Sequence, residues 1–241
     1  MKKTEYIANL IDRLPKGYVF TYVDFIDKVK SKEAVIKALN RMTASGKITK
    51  LSKGKFYKPE KSVFGKLRPN RNQIVKDLLE EDGKITGYLT GYSIYNQLGL
   101  TTQISNIIQI GKNAVRPSLK RSEYKISFVL QKNTITKDNI SLLQILDSIR
   151  YIKKIPDTTI GSACKRLMEI IKDLSQKDKS TLVRLSLKYP PVSRALLGAI
   201  LEEIGNRSLT ELLSKSLNPI TTYNLSGAEK ILSSVDKWNI K

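Results

Sequence analysis

Lys37, Asn40 and Arg41 lie within five consecutive residues, and their types are those that read base edges in duplex DNA. An Asn amide bonds adenine bidentately, while Arg or Lys addresses the O6 and N7 of guanine. Around them Val35, Ala38, Leu39 and Met42 recur at buried helical spacing. Turning those four inward, at about 100° per residue, places Glu33, Lys37, Asn40 and Ala44 on the opposite face with Arg41 on one flank. Lys32 stands at the start of that helix, and Lys50, Lys53 and Lys55 gather around a downstream turn where phosphates would run, with Lys47 nearby. Phosphate contacts supply affinity and salt dependence, whereas Lys37, Asn40 and Arg41 would supply sequence choice. Tyr57 alternates out of the same hairpin and is a candidate stacking or phosphate contact. Tyr18, Tyr22, Phe25 and Phe56 follow the buried spacing and read as core. A helix face of Lys and Asn is also an ordinary solvated surface, so the reading depends on the elements that hold it.

Those elements can be read upstream and downstream. Ile7, Leu10, Ile11 and Leu14 form an i, i+3, i+4, i+7 stripe, which predicts a helix over 4–14 stopped by Pro15-Lys16-Gly17. Tyr18, Val19 and Phe20 suggest a short extended piece. Thr21 with Asp24 three residues later caps a short second helix carrying Phe25, Ile26 and Val29. Ser31 caps the third helix, and Gly46 stops it. Ile48 to Leu51, the turn Ser52-Lys53-Gly54-Lys55, and Phe56-Tyr57-Lys58 read as a hairpin with a basic tip. Helix, strand, helix, helix, hairpin is the order of a winged helix-turn-helix.

The rest of the chain offers weaker signals. Lys112, Arg116, Lys120, Arg121 and Lys125 make a second basic patch that fits a further nucleic-acid contact, and fits a solvated loop equally well. Ile74, Val75, Leu78 and Leu79 predict a short helix ending in Glu80-Glu81-Asp82-Gly83. Three adjacent acids read as a solvated helix end, because a metal-dependent site needs carboxylates converging from separate elements. Gly83, Gly87 and Gly91 match no phosphate-loop fingerprint. Strands are expected over 107–110 and 124–130, the latter with Tyr124, Ile126, Phe128 and Leu130 on one face. Apolar helical stripes then run to the C-terminal end, with Pro190-Pro191 at a helix start. Cys164 lies on such a stripe and reads as a small buried hydrophobe.

The 241 residues carry 43 Lys+Arg against 22 Asp+Glu, a formal net charge of +21 that points to a polyanionic partner. Residues 1–66 hold +10 of it. With no histidine, Ser-His and Cys-His catalysis and His-ligated zinc are absent, and a binder is expected rather than an enzyme, with no cofactor and no metal. One cysteine and no apolar leader or membrane-length stretch lead us to expect a cytoplasmic protein with no membrane partner. Prolines and charges over 58–70 suggest a linker. The expected fold class is α+β, with a winged helix-turn-helix over 1–62 and a second domain over 63–241, mixed α/β to about 155 and helical after that.

The runs Leu14-Pro15-Lys16-Gly17 through Phe20, Asp24-Phe25, Ala38-Leu39-Asn40-Arg41-Met42 through Gly46-Lys47-Ile48, and Lys53-Gly54-Lys55-Phe56-Tyr57-Lys58-Pro59 resemble the winged-helix half of the AbiEi family. Gly87-Tyr88-Leu89-Thr90-Gly91-Tyr92-Ser93 and Asn96-Gln97-Leu98-Gly99-Leu100-Thr101-Thr102-Gln103 resemble the start of that family's second domain, so the likeness spans about 4–155. Members are antitoxins of type IV toxin-antitoxin systems in abortive infection. The resemblance implies a DNA-binding transcriptional autorepressor of its own operon that opposes a nucleotidyltransferase toxin without a stable toxin complex. The implied partner is double-stranded operator DNA upstream of that operon, and Lys37, Asn40, Arg41, Lys53 and Lys55 match its DNA-binding part. Two alternatives remain at this stage: an antitoxin that binds its toxin directly, and an RNA-binding module.

Overall fold

The computed structural model describes residues 3–63, 65–114 and 116–241. It is an α+β protein whose contacts divide it into two compact units, one formed by Met1–Asp77 with Leu119–Tyr124 and the other by Leu78–Ser118 with Lys125–Lys241. The division falls after Asp77 and not near residue 62. The expected linker over 58–70 lies inside the first unit, because its prolines and charges belong to a hairpin and a capped turn.

The first unit runs α1 (Lys3–Asp12), β1 (Val19–Thr21), α2 (Val23–Val29), α3 (Lys32–Ala44), β2 (Thr49–Ser52) and β3 (Lys55–Tyr57). A hairpin of β4 (Glu60–Ser62) and β5 (Gly65–Leu67) and the short α4 (Arg71–Ile74) follow. The three-stranded sheet has the order β1-β3-β2, all antiparallel, with Phe20 opposite Phe56. Its inner face and the three helices enclose Ile7, Ile11, Phe25, Val35, Leu39 and Ile48, all at most 4% exposed. Phe20 sits edge-on to Phe25 at 5.5 Å and stacks over Phe56 at 6.4 Å. This is the winged helix-turn-helix order that the periodicity predicts.

Local chemistry sets the ends of α3. The Ser31 hydroxyl accepts from the Ala34 amide at 3.4 Å, a side-chain cap for one orphan donor. At the other end Gly46 N–H donates to Thr43 and Lys47 N–H to Met42, the paired bonds of a Schellman stop. Asp24 accepts from both the amide and the hydroxyl of Thr21 at 2.7 and 3.0 Å, fixing the entry to α2.

The second unit begins in α5 (Lys76–Leu79) and the small hairpin β6 (Glu80–Glu81) and β7 (Lys84–Ile85), then β8 (Gly87–Thr90) and β9 (Ile107–Lys112). β10 (Leu119–Arg121) belongs to the first unit, and β11 (Tyr124–Leu130) pairs parallel with β9 while β8 pairs antiparallel on its other side. α6 (Ile140–Arg150), α7 (Ile160–Lys172), α8 (Gln176–Ser186), α9 (Pro191–Glu203) and α10 (Glu211–Lys215) complete it. Leu142, Leu143, Ile145, Leu146 and Ile149 of α6 are all at most 3% exposed, so α6 is the hydrophobic axis of this unit. Two expectations for this half need correction. The acids Glu80, Glu81 and Asp82 do not end a helix. They form a hairpin, because Asp82 and Gly83 both take positive φ, the pair a tight two-residue turn requires. β11 does not alternate cleanly either: Ile126 and Val129 are buried and Leu130 is 43% exposed, as befits a strand covered unevenly on both sides. The first helix also ends at Asp12, two residues short of Leu14. No helix among the described residues is long and apolar enough to cross a membrane.

Candidate nucleic-acid interface

α3 carries the candidate reading face. Val35, Ala38, Leu39 and Met42 are buried, which leaves Glu33, Lys37, Asn40, Arg41 and Ala44 exposed, the division predicted from their spacing. Among the described residues, the side chains of Lys37, Asn40, Arg41, Lys50 and Lys53 are committed to no hydrogen bond or ion pair. A helix of 13 residues is about 20 Å long and narrow enough for a major groove of about 12 Å. Lys32, at the helix start, is exposed and its ammonium lies 5.2 Å from the centre of the Tyr22 ring. Lys50 is exposed on β2, and Lys53 and Gly54 form the wing turn. Lys47 pairs with Asp12 at 2.7 Å on the surface.

Two wing residues have structural duties. Tyr57 is not a surface contact: it is 6% exposed, because β3 is the central strand and its outer face is covered. Leu51, Tyr57, Pro69 and Ile74 line a cavity of about 190 Å³ on that face, so the segment after the wing supplies a second small core. Lys55 is held in a 3.0 Å ion pair with Asp77, with only 19% of its side chain exposed. Asp77 also receives both guanidinium nitrogens of Arg121 at 2.6 and 2.7 Å, and Arg121 donates to the Ile74 carbonyl at 2.7 Å. Burial pushes the Asp77 carboxyl up, but Arg121 and Lys55 outweigh it and hold it below its ordinary 3.8.

Two of the five residues of the second basic patch are buried. Arg121 is 8% exposed and neutralised by Asp77, and Lys112 is 5% exposed within β9. Arg116, Lys120 and Lys125 are exposed. The sequence could not expose this, since the residue that takes up Arg121 lies 44 positions earlier. Nothing near Lys58 in sequence marks its role either. Its ammonium donates to the carbonyls of Asp12 and Leu14 at 2.6 and 2.9 Å, capping the end of α1 from the exit of the wing.

A polar network in the second unit also escaped the sequence reading. Asp147, 1% exposed, accepts from the hydroxyls of Tyr88, Thr90 and Tyr189 at 2.7, 2.7 and 2.8 Å. The Gln131 amide donates to both tyrosine hydroxyls at 2.8 Å. Burial pushes the Asp147 carboxyl up, opposed by the three hydroxyls and by Arg150. The signal for it is an acid inside an otherwise apolar helical stripe. Sealed at 1% exposure, this carboxylate ties β8, α6 and the turn between α8 and α9 together. Burial pushes the Cys164 thiol up to about 12, so it packs as a neutral hydrophobe.

Residues 6–183 match the model of a family of unknown function, DUF6088. The chain belongs to the DUF6088 family. No curated protein matches it. The crystal structure of the RV2827C protein from Mycobacterium tuberculosis is similar, with a TM-score of 0.63 over 94% of this chain and 86% of that one at 14% identity. At that identity the likeness shows a shared fold. The DUF6088 match covers the winged helix, the mixed sheet and most of the helices down to α8.

Proposed function

We propose that this DUF6088 protein binds double-stranded DNA through α3 and the wing, as a transcriptional autorepressor of its own operon and the antitoxin of a type IV system opposing a nucleotidyltransferase toxin. The observation that carries the DNA reading is the exposed, uncommitted face of Lys37, Asn40 and Arg41 on the third helix of a winged unit. Asn40 and Arg41 address base edges, while Lys32, Lys50 and Lys53 meet phosphates on either side. An excess of +10 over residues 1–66 makes this the surface that DNA would find first. The antitoxin part rests on the AbiEi resemblance of residues 4–155.

A gel shift with the DNA upstream of the protein's own gene tests the first part at moderate salt. A retarded band resistant to excess random duplex supports it, and equal competition by random duplex refutes it. Co-expression with the adjacent gene product tests the second: restored growth without co-purification is expected, and unrelieved toxicity would refute it. Stable co-purification would instead favour an antitoxin that works by direct toxin binding.

A further inference from the structure

The second unit holds a cleft of about 240 Å³ lined by the end of β11, the end of α6 and the turn between α8 and α9. Three lining residues are cations, Lys132, Arg150 and Lys188, and no carboxylate is among them. Their present engagements are weak. Lys188 Nζ donates to the Lys132 carbonyl at 3.3 Å and Arg150 Nη1 to the Leu130 carbonyl at 3.4 Å, while the guanidinium lies 5.0 Å from the centre of the Tyr151 ring. Among the described residues none of the three has an ion-pair partner.

The floor is rigid and chemically saturated. Gln131 spends its Nε2 on Tyr88 and Tyr189, and its Oε1 accepts from the backbone and side-chain nitrogens of Asn133 at 2.8 and 3.0 Å. Asp147 lies beneath Tyr189, so one sealed carboxylate faces three cations and the cleft keeps a positive excess. Leu130, Pro190 and Pro191 form an apolar wall beside them, with Leu130 43% exposed. Cations that need an anion, next to an apolar wall that can cover a flat ring, match the two halves of a nucleotide.

We propose that this cleft binds a nucleotide, its phosphates on Lys132, Arg150 and Lys188 and its base against Leu130, Pro190 and Pro191. The inference stands apart from the DNA reading, which concerns the first unit. A free nucleotide and the phosphorylated end of a strand offer the same chemistry, and competition tells them apart.

The test is fluorescence polarisation of N-methylanthraniloyl-ATP with the full chain. Wild type binds it saturably at one site, and Lys132→Ala/Lys188→Ala weakens binding by at least about tenfold. Lys165→Ala/Lys230→Ala removes the same charge from exposed positions outside the cleft and leaves binding unchanged. Displacement by ATP and pyrophosphate but not by a 5′-phosphorylated dodecamer identifies a free nucleotide, and displacement by the dodecamer identifies a strand end. No saturable binding by wild type, or equal weakening in both double variants, overturns the proposal.

Discussion

Lys53 and Lys55 stand two positions apart on the wing and carry different loads, because Lys53 faces solvent uncommitted and Lys55 is paired to Asp77. Lys53→Ala therefore weakens binding to every duplex similarly and lowers the salt slope by about one, whereas Arg41→Ala costs about 1–3 kcal/mol on the preferred duplex and little on others. Titrations of both variants on two duplexes check this, and an Arg41→Ala loss equal on the two duplexes would contradict it. Tyr57 separates packing from contact in the same way. Tyr57→Ala costs about 3 kcal/mol of stability by denaturant titration, as a large buried ring leaves a cavity, while Tyr57→Phe leaves DNA affinity unchanged. Asp77→Ala strands the 8% exposed Arg121 without its partner. Because Asp77 itself is two-fifths exposed, the expected cost is discounted to about 2 kcal/mol. Its lowered folded pKa means the ion pair stabilises above the ordinary 3.8 and fades as pH falls through the folded value. Acid unfolding of Asp77→Ala is accordingly less steep than that of wild type.

At the scale of elements, α9 shows how one position fixes a terminus. Gly198 lies against the Trp238 ring so closely that any Cβ would overlap it. The indole N–H then reaches Glu202 Oε2 at 2.9 Å, and Lys237 and Arg207 meet Oε1 at 2.8 and 3.1 Å. Gly198→Ala, though favourable to a free helix, is expected to destabilise the protein by about 1–3 kcal/mol in thermal unfolding through this overlap. The Lys237 bond leads in holding the Glu202 carboxyl below its ordinary 4.5, so its contribution is present above that pH and is lost as pH falls through the folded value. Elements whose evidence is local were legible: the Ser31 cap, the Gly46 stop and the α3 stripe all read directly from neighbours in sequence. What failed depended on distant partners or on turn chemistry given too little weight. The Asp82-Gly83 turn was visible as a dipeptide, but the apolar run before it suggested a helix end. Arg121 and Lys55 read as surface charge because nothing near them reveals Asp77, and Tyr57 read as outward because strand alternation does not say that the outer face is covered. Of the candidate interface, the helix face and Lys53 were recoverable from sequence, and the wing's burial was not.

For the whole molecule, the net charge of +21 distributes unequally in use as well as in count. Lys55, Arg121 and Lys58 spend theirs on the fold of the first unit, and Lys37, Arg41, Lys50 and Lys53 stay uncommitted among the described residues. The second unit keeps a separate basic cleft of its own. If the central claim holds, affinity must depend on salt through the few phosphate contacts and on sequence through α3. Fluorescence anisotropy of the full chain on its own upstream duplex and on a scrambled duplex, across a salt series, measures both at once. The account predicts a linear fall of log affinity with log salt on each duplex and a preference for the upstream sequence of about 10³-fold or more, cut sharply by Arg41→Ala. Equal affinity for the two duplexes at every salt concentration would contradict it.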